Sequence, residues 1–143
     1  MRNEKNDEGF SFAETIASIA IMLILSAGVA VTAFKLIDQA KLASAKTQIE
    51  TYKLALHSYY IDCGNFPNEA QGLNALYTKP VISPVSAKWE GPYIDKEIQS
   101  DPWGNDYIYK TVNTNGHAFV IYSLGADGEE GGNGINEDIV SWK

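Results

Sequence analysis

Cysteine is almost missing from this sequence: Cys63 is the only one in 143 residues, so no disulfide can form within the chain. Exported domains of modest size often rely on such a bond. A domain of about a hundred residues buries only around two thirds of its unfolded surface, so a metal or a partner subunit would add stabilisation that no disulfide supplies here. Cys63 itself reads as a small buried thiol near a helix end. Basic residues are scarce too, 11 against 18 acidic ones for a net charge of −7. Binding a polyanion needs clustered Lys and Arg, whereas Lys35, Lys41, Lys46 and Lys53 are spread along one segment among acids. Nucleic acid is excluded as a partner. There are two histidines, His57 and His117, and no Ser or Cys pattern gives either one a nucleophile. Zinc spacing is absent, and Gly131, Gly132 and Gly134 lack the lysine and helix of a phosphate loop. An enzyme is not expected.

Charge is absent from one long stretch. Thr15 to Phe34 is 20 consecutive residues without a formal charge, the roughly 20 that a helix needs to cross the hydrocarbon of a bilayer. A cleaved secretory signal has a shorter apolar region and a small-residue cleavage site, and this segment instead runs on into Lys35. A plain signal anchor is the simpler alternative. It leaves Glu14 unexplained, because a carboxylate on the edge of a membrane segment is costly without a cation. Cutting the bond after Gly9 would give Phe10 a free α-amine four residues away, about one helical turn.

The hexapeptide Gly9-Phe10-Ser11-Phe12-Ala13-Glu14 resembles the processing site of type IV pilins and type II secretion pseudopilins. The resemblance implies a leader of residues 1–9 removed by prepilin peptidase, N-methylation of Phe10, and a role for Glu14 in subunit docking. The leader departs from the family in its charge. Arg2 and Lys5 face Glu4, Asp7 and Glu8, a side-chain net of −1 (2 − 3), where cytoplasmic flanks usually carry excess Lys and Arg.

Glycine and proline are both missing from Lys35 to Asp62, a stretch rich in Ala, Leu, Lys and Gln. Helix is favoured throughout. The reading is one helix from near Phe10 to Asp62, roughly 80 Å long, apolar all round over 10–34 and amphipathic beyond. Gly28 loosens it locally, and Gly64 with Pro67 ends it. Ile49, Tyr52, Leu56, Tyr59 and Tyr60 mark the stripe that a soluble domain covers. Ser11, Ser18, Ser26, Ala17, Ala20 and Gly28 allow close approach of helices.

Past Gly64 the composition turns to Pro, Gly, Asn and Asp with aromatics between. Tyr107–Thr111 and Ala118–Ser123 are aromatic and β-branched runs joined by Asn113-Thr114-Asn115-Gly116, which predicts an antiparallel hairpin. A long helix on a small antiparallel sheet makes the fold class α+β. Asp62-Cys63-Gly64-Asn65-Phe66-Pro67, Glu69-Ala70-Gln71-Gly72-Leu73, Trp89-x-Gly91-Pro92-Tyr93, Asp101-Pro102-Trp103-Gly104-Asn105 and Ser123-Leu124-Gly125-Ala126-Asp127-Gly128 are similar, in order, to phrases of the major pseudopilin family of type II secretion.

Ser123 to Asp138 is dense in glycine and hard oxygen donors, the composition of either a solvated acidic loop or a calcium site. It lacks the EF-hand pattern. The family resemblance implies a Ca²⁺ ion held by Asp127, Asp138 and the Leu124 carbonyl, with Asn133 or Asn136 where relatives place further acids.

The same resemblance implies a bacterial inner-membrane protein that crosses once, with residues 35–143 as a periplasmic domain. It would polymerise with its own copies into a periplasmic filament that drives protein export across the outer membrane. Minor pseudopilins, the inner-membrane assembly platform and prepilin peptidase are the implied partners. A type IV pilus subunit and a membrane-anchored calcium-binding domain that never polymerises are the alternatives.

Overall fold

One helix, α1 (Phe12–Cys63, 52 residues), dominates the computed structural model, which describes residues 9–111 and 116–142. Most of the expected leader, and Asn113 to Asn115 of the expected turn, lie outside the described residues. The chain forms two compact units, one ending at Ile37 and one covering Asp38–Lys143.

The first unit is helical and bare. Its most apolar 18-residue window has a mean hydropathy of 2.3 and none of it is buried; Ile24 is 73% exposed. Side-chain hydroxyls do not interrupt the apolar surface. Ser18 donates to the Glu14 carbonyl at 2.8 Å, Ser26 to Met22 at 2.7 Å and Thr32 to Gly28 at 3.2 Å. Each polar group is thus satisfied within the helix, which is what a segment without water around it requires.

In the second unit, α1 turns Ala45, Ile49, Tyr52, Leu56 and Tyr59 into the core, all buried. Fully burying a side chain the size of Leu56 stabilises by about 1.5–3 kcal/mol. Tyr60, expected on this stripe, is 46% exposed and stacks on Phe66 at 4.7 Å instead. Tyr59 already fills the inward position, and the next residue lies about 100° further round the helix. Burial, with Cys63 beside it, pushes the Tyr59 hydroxyl up to about 12. Gly64 ends α1 with φ +77° and its N–H on the Tyr60 carbonyl at 2.8 Å.

The sheet has three antiparallel strands in the order β1-β2-β3: β1 (Ile108–Lys110), β2 (Val120–Ser123) and β3 (Ile139–Val140). Tyr109 opposes Ile121, and Ser123 opposes Ile139. The two expected strands are present but shorter than the runs that predicted them, and β3 was not foreseen. Tyr107 meets Tyr52 edge to face at 5.5 Å and donates to Gln48 of α1, while the Tyr109 hydroxyl donates to the Pro67 carbonyl at 2.8 Å. These aromatics give the sheet an apolar body against α1 and a satisfied polar tip.

Candidate functional site

Two groups of residues carry the functional expectations, one in each unit. Gly9 and Phe10 precede the helix, and Phe10 is 87% exposed. Glu14 lies in the first turn, where its Oε2 accepts the Ser11 N–H at 2.8 Å. The Ser11 carbonyl accepts Thr15 N–H at 3.0 Å. Ser11-x-x-Glu14 is therefore half of a capping box, a signal readable in the sequence that the docking role overshadowed. The Ser11 amide is one residue from the amine that cleavage after Gly9 would create, so the carboxylate already faces that end of the chain.

The second group is the loop between β2 and β3. It folds back on itself: Ala126 N–H reaches the Ile135 carbonyl at 3.0 Å, and Gly131 N–H donates to Asp138 Oδ2 at 3.0 Å. Two glycines permit this. Gly125 (φ +67°) and Gly132 (φ +87°) both take left-handed backbone, and a Cβ on either would overlap the Asn136 main chain.

Of the residues expected here, Leu124 and Asp127 lie on the outgoing arm, and Asn133, Asn136 and Asp138 on or just beyond the return arm. Asp127 is exposed, with Oδ1 accepting Glu129 N–H at 3.2 Å. Asn133 caps a short 3₁₀ turn (Gly134–Asn136), and its carbonyl accepts Asn136 N–H at 3.3 Å. Asp138 is the distinctive member, because its Oδ1 is buried without a hydrogen-bond partner. A buried carboxylate oxygen costs free energy unless something positive meets it. No three His, Cys, Asp or Glu side chains gather at one point among the described residues, so a cation here would draw mainly on carbonyl and amide oxygens. Calcium accepts such a set.

A buried network outside the loop fixes its first corner. Asp101, 4% exposed, accepts Trp103 N–H at 3.0 Å and Asn105 N–H at 2.8 Å through Oδ1, and the Ser123 hydroxyl through Oδ2. Ser123 in turn accepts Gly125 N–H at 3.2 Å, and Asn105 Nδ2 donates to the Gly125 carbonyl at 3.0 Å. The Asp101–Asn105 turn and the Ser123–Gly128 turn are therefore one welded unit. Sequence reading found both phrases without seeing that they meet. Replacing Asp101 with alanine strips three donors of their acceptor, and the expected loss is about 2–4 kcal/mol. The urea midpoint of the detergent-solubilised chain checks this, with Asp101→Asn expected to lose less because it keeps an acceptor.

The model of the family described as "Type II secretion system (T2SS), protein G" matches residues 32–142. Among curated proteins, the chain is 38% identical over 138 residues to type II secretion system core protein G of Pseudomonas aeruginosa, covering 96% of each. It is 36% identical over 142 residues to the protein of that name from Vibrio cholerae, covering 99% of this chain and 96% of the relative. Among solved structures, it is similar to the major pseudopilin from the type 2 secretion system of enterohaemorrhagic Escherichia coli, with a TM-score of 0.62 and 29% identity. That match covers 73% of this chain and 89% of the other.

Proposed function

The chain belongs to the type II secretion system protein G family, a family of structural pseudopilin subunits and not of enzymes, and from that premise we propose how it is processed, anchored and assembled. The peptide bond between Gly9 and Phe10 is cut by prepilin peptidase and the new amine of Phe10 is methylated. Before assembly the segment 10–34 crosses the inner membrane once, with residues 35–143 in the periplasm. Copies then leave the membrane and polymerise into the periplasmic filament that drives protein export, together with minor pseudopilins and the inner-membrane assembly platform.

The observation that carries this reading is the bare apolar stretch of α1, whose hydroxyls are all turned back onto its own carbonyls where they are described. Such a surface is equally compatible with lipid and with neighbouring helices, so one segment serves as anchor first and filament core afterwards. Intact-mass measurement of the chain extracted from membranes of cells that contain prepilin peptidase should give a polypeptide starting at methylated Phe10. A chain that keeps Met1 in those cells overturns the processing scheme.

Calcium belongs to the same proposal. The unpartnered Oδ1 of Asp138 supports it, as does the folding of the loop back on itself between Ala126 and Ile135. Asp127, Asp138, the Leu124 carbonyl and the amide oxygens of Asn133 and Asn136 are the residues that would hold the ion. Bound there, Ca²⁺ supplies a concentrated positive charge that ties the two arms of the loop together, a closure that no disulfide can provide in a chain with one cysteine.

A further inference from the structure

The two histidines of the chain stand 60 residues apart in the sequence (117 − 57), yet both line one cavity of about 420 Å³. His57 belongs to the second unit's stretch of α1, and His117 to the chain that leads into β2. Lys53, Phe119, Ser141 and Trp142 supply most of the remaining wall, and no carboxylate is part of it among the described residues. Phe119 explains the meeting. Its ring meets that of His57 edge to face at 5.7 Å. His117 is two positions before Phe119, a reach of about 7 Å at most along the chain. His57 also meets Phe66 edge to face at 5.9 Å. Two aromatic contacts thus set the plane of an imidazole that remains exposed.

Imidazole nitrogen is a ligand of zinc, nickel and copper, whereas calcium and magnesium take oxygen. The donors here are therefore of a different class from those of the acidic loop. The cavity beside Asp138 shares no lining residue with this one, so the two places are separate. A ligating histidine gives one ring nitrogen to the metal and keeps the other for a hydrogen bond. His57 makes ring contacts but no hydrogen bond among the described residues, and one nitrogen of His117 is enough. With about 30 Å³ for each water, the cavity has room for an ion and the waters that complete its shell.

We propose that His57 and His117 chelate a divalent transition cation of the zinc, nickel and copper class. Two ligands on separate elements hold an ion better than one surface histidine does, because the second binds an ion that the first has already brought close. Water fills the other positions, so the affinity is below that of a structural site with four protein ligands. The ion ties α1 to the chain entering β2. That is a closure across 60 residues (117 − 57), which the single cysteine cannot make. It stands independently of the calcium and filament readings above.

The test titrates zinc chloride by calorimetry into the detergent-solubilised full chain, without a histidine tag and with calcium present. One equivalent should bind. Losing an outer-shell partner of a metal ligand already costs about 10–100-fold in affinity, so His57→Ala and His117→Ala should each weaken binding by about tenfold or more. Asp138→Ala and Cys63→Ser should leave it unchanged. Zinc-free thermal melts check that each variant folds, and His57→Gln and His117→Gln, which keep a polar side chain of similar size, repeat the measurement if an alanine variant does not. Nickel should quench part of the tryptophan fluorescence, and that part should disappear in Trp142→Phe, whose indole lines the cavity. No zinc uptake overturns the site. Uptake that His117→Ala or His117→Gln leaves intact marks a lone surface histidine and overturns the pair. Uptake lost with Asp138→Ala or with Cys63→Ser assigns the ion to the acidic loop or to the thiol, and overturns it as well.

Discussion

Glu14→Gln is expected to abolish filament assembly while leaving insertion into the membrane unchanged. In the structure the Glu14 carboxylate accepts the Ser11 amide at 2.8 Å, so it already serves the helix start. Glutamine keeps an oxygen for that bond and removes only the charge. If capping were the whole role, assembly would survive. On the proposed pathway Phe10 gains an ammonium that moves from the membrane edge into a protein core, and there it needs a carboxylate. Leaving a buried charge unpaired costs roughly 3–5 kcal/mol, on the order of a hundredfold or more in an assembly equilibrium at about 1.4 kcal/mol per decade. Immunoblots of sheared or cross-linked filaments, normalised to membrane-inserted subunit, read the effect. Assembly of Glu14→Gln at the unsubstituted level would sink the ion-pair account and leave Glu14 as a cap alone. Glu14→Ala should match Glu14→Gln in assembly, since the half capping box is worth only about 1 kcal/mol.

The second large effect concerns the loop between β2 and β3. Calcium at a hundred times its dissociation constant should stabilise the folded chain by about 2.7 kcal/mol. For a domain of this size that raises the melting temperature by on the order of 10 °C, and excess chelator should reverse the gain. Asp138→Ala and Asp127→Ala should each remove the calcium response, for different structural reasons. Asp138 presents one buried oxygen that lacks a partner, while its other oxygen accepts the exposed Gly131 N–H, so its replacement relieves one cost, loses one exposed bond, and should leave the calcium-free form within about 1 kcal/mol of the unsubstituted chain. Asp127 is exposed, and its loss should leave the calcium-free form unchanged. Thermal melts of the detergent-solubilised full chain in calcium and in chelator make all four comparisons. An unsubstituted chain whose melting temperature ignores calcium would take the ion out of the account, and Asp138 would then need another partner.

These two sites were legible in the sequence to different degrees. Glu14 stood out because a single charge at the rim of an uncharged stretch is a one-dimensional anomaly. The loop could be read only by composition, and composition does not say which oxygens converge. Gly125 and Gly132 are two among many glycines in the sequence; the close approach of Asn136 is what makes them irreplaceable. Tyr59 and Tyr60 show the same limit on a helix, where one step of rotation separates a core residue from a surface one. β3 is two residues long, too short for alternation to register.

The membrane-length helix, its continuation to Asp62, the central residues of β1 and β2, and the family were all legible without coordinates. These follow from hydropathy, helix propensity and motif order, which are sums or patterns over neighbouring residues. Tertiary structure alone decided that the Asp101 turn is welded to Ser123 and Gly125, that Gln71 and Asn68 clamp the carbonyls of Ile82 and Ser83, and that Asp138 keeps one oxygen unmatched. Those partners lie 11 to 22 residues apart where they are bonded. Contacts across such separations depend on how loops close and what space the core leaves, and no local pattern records either.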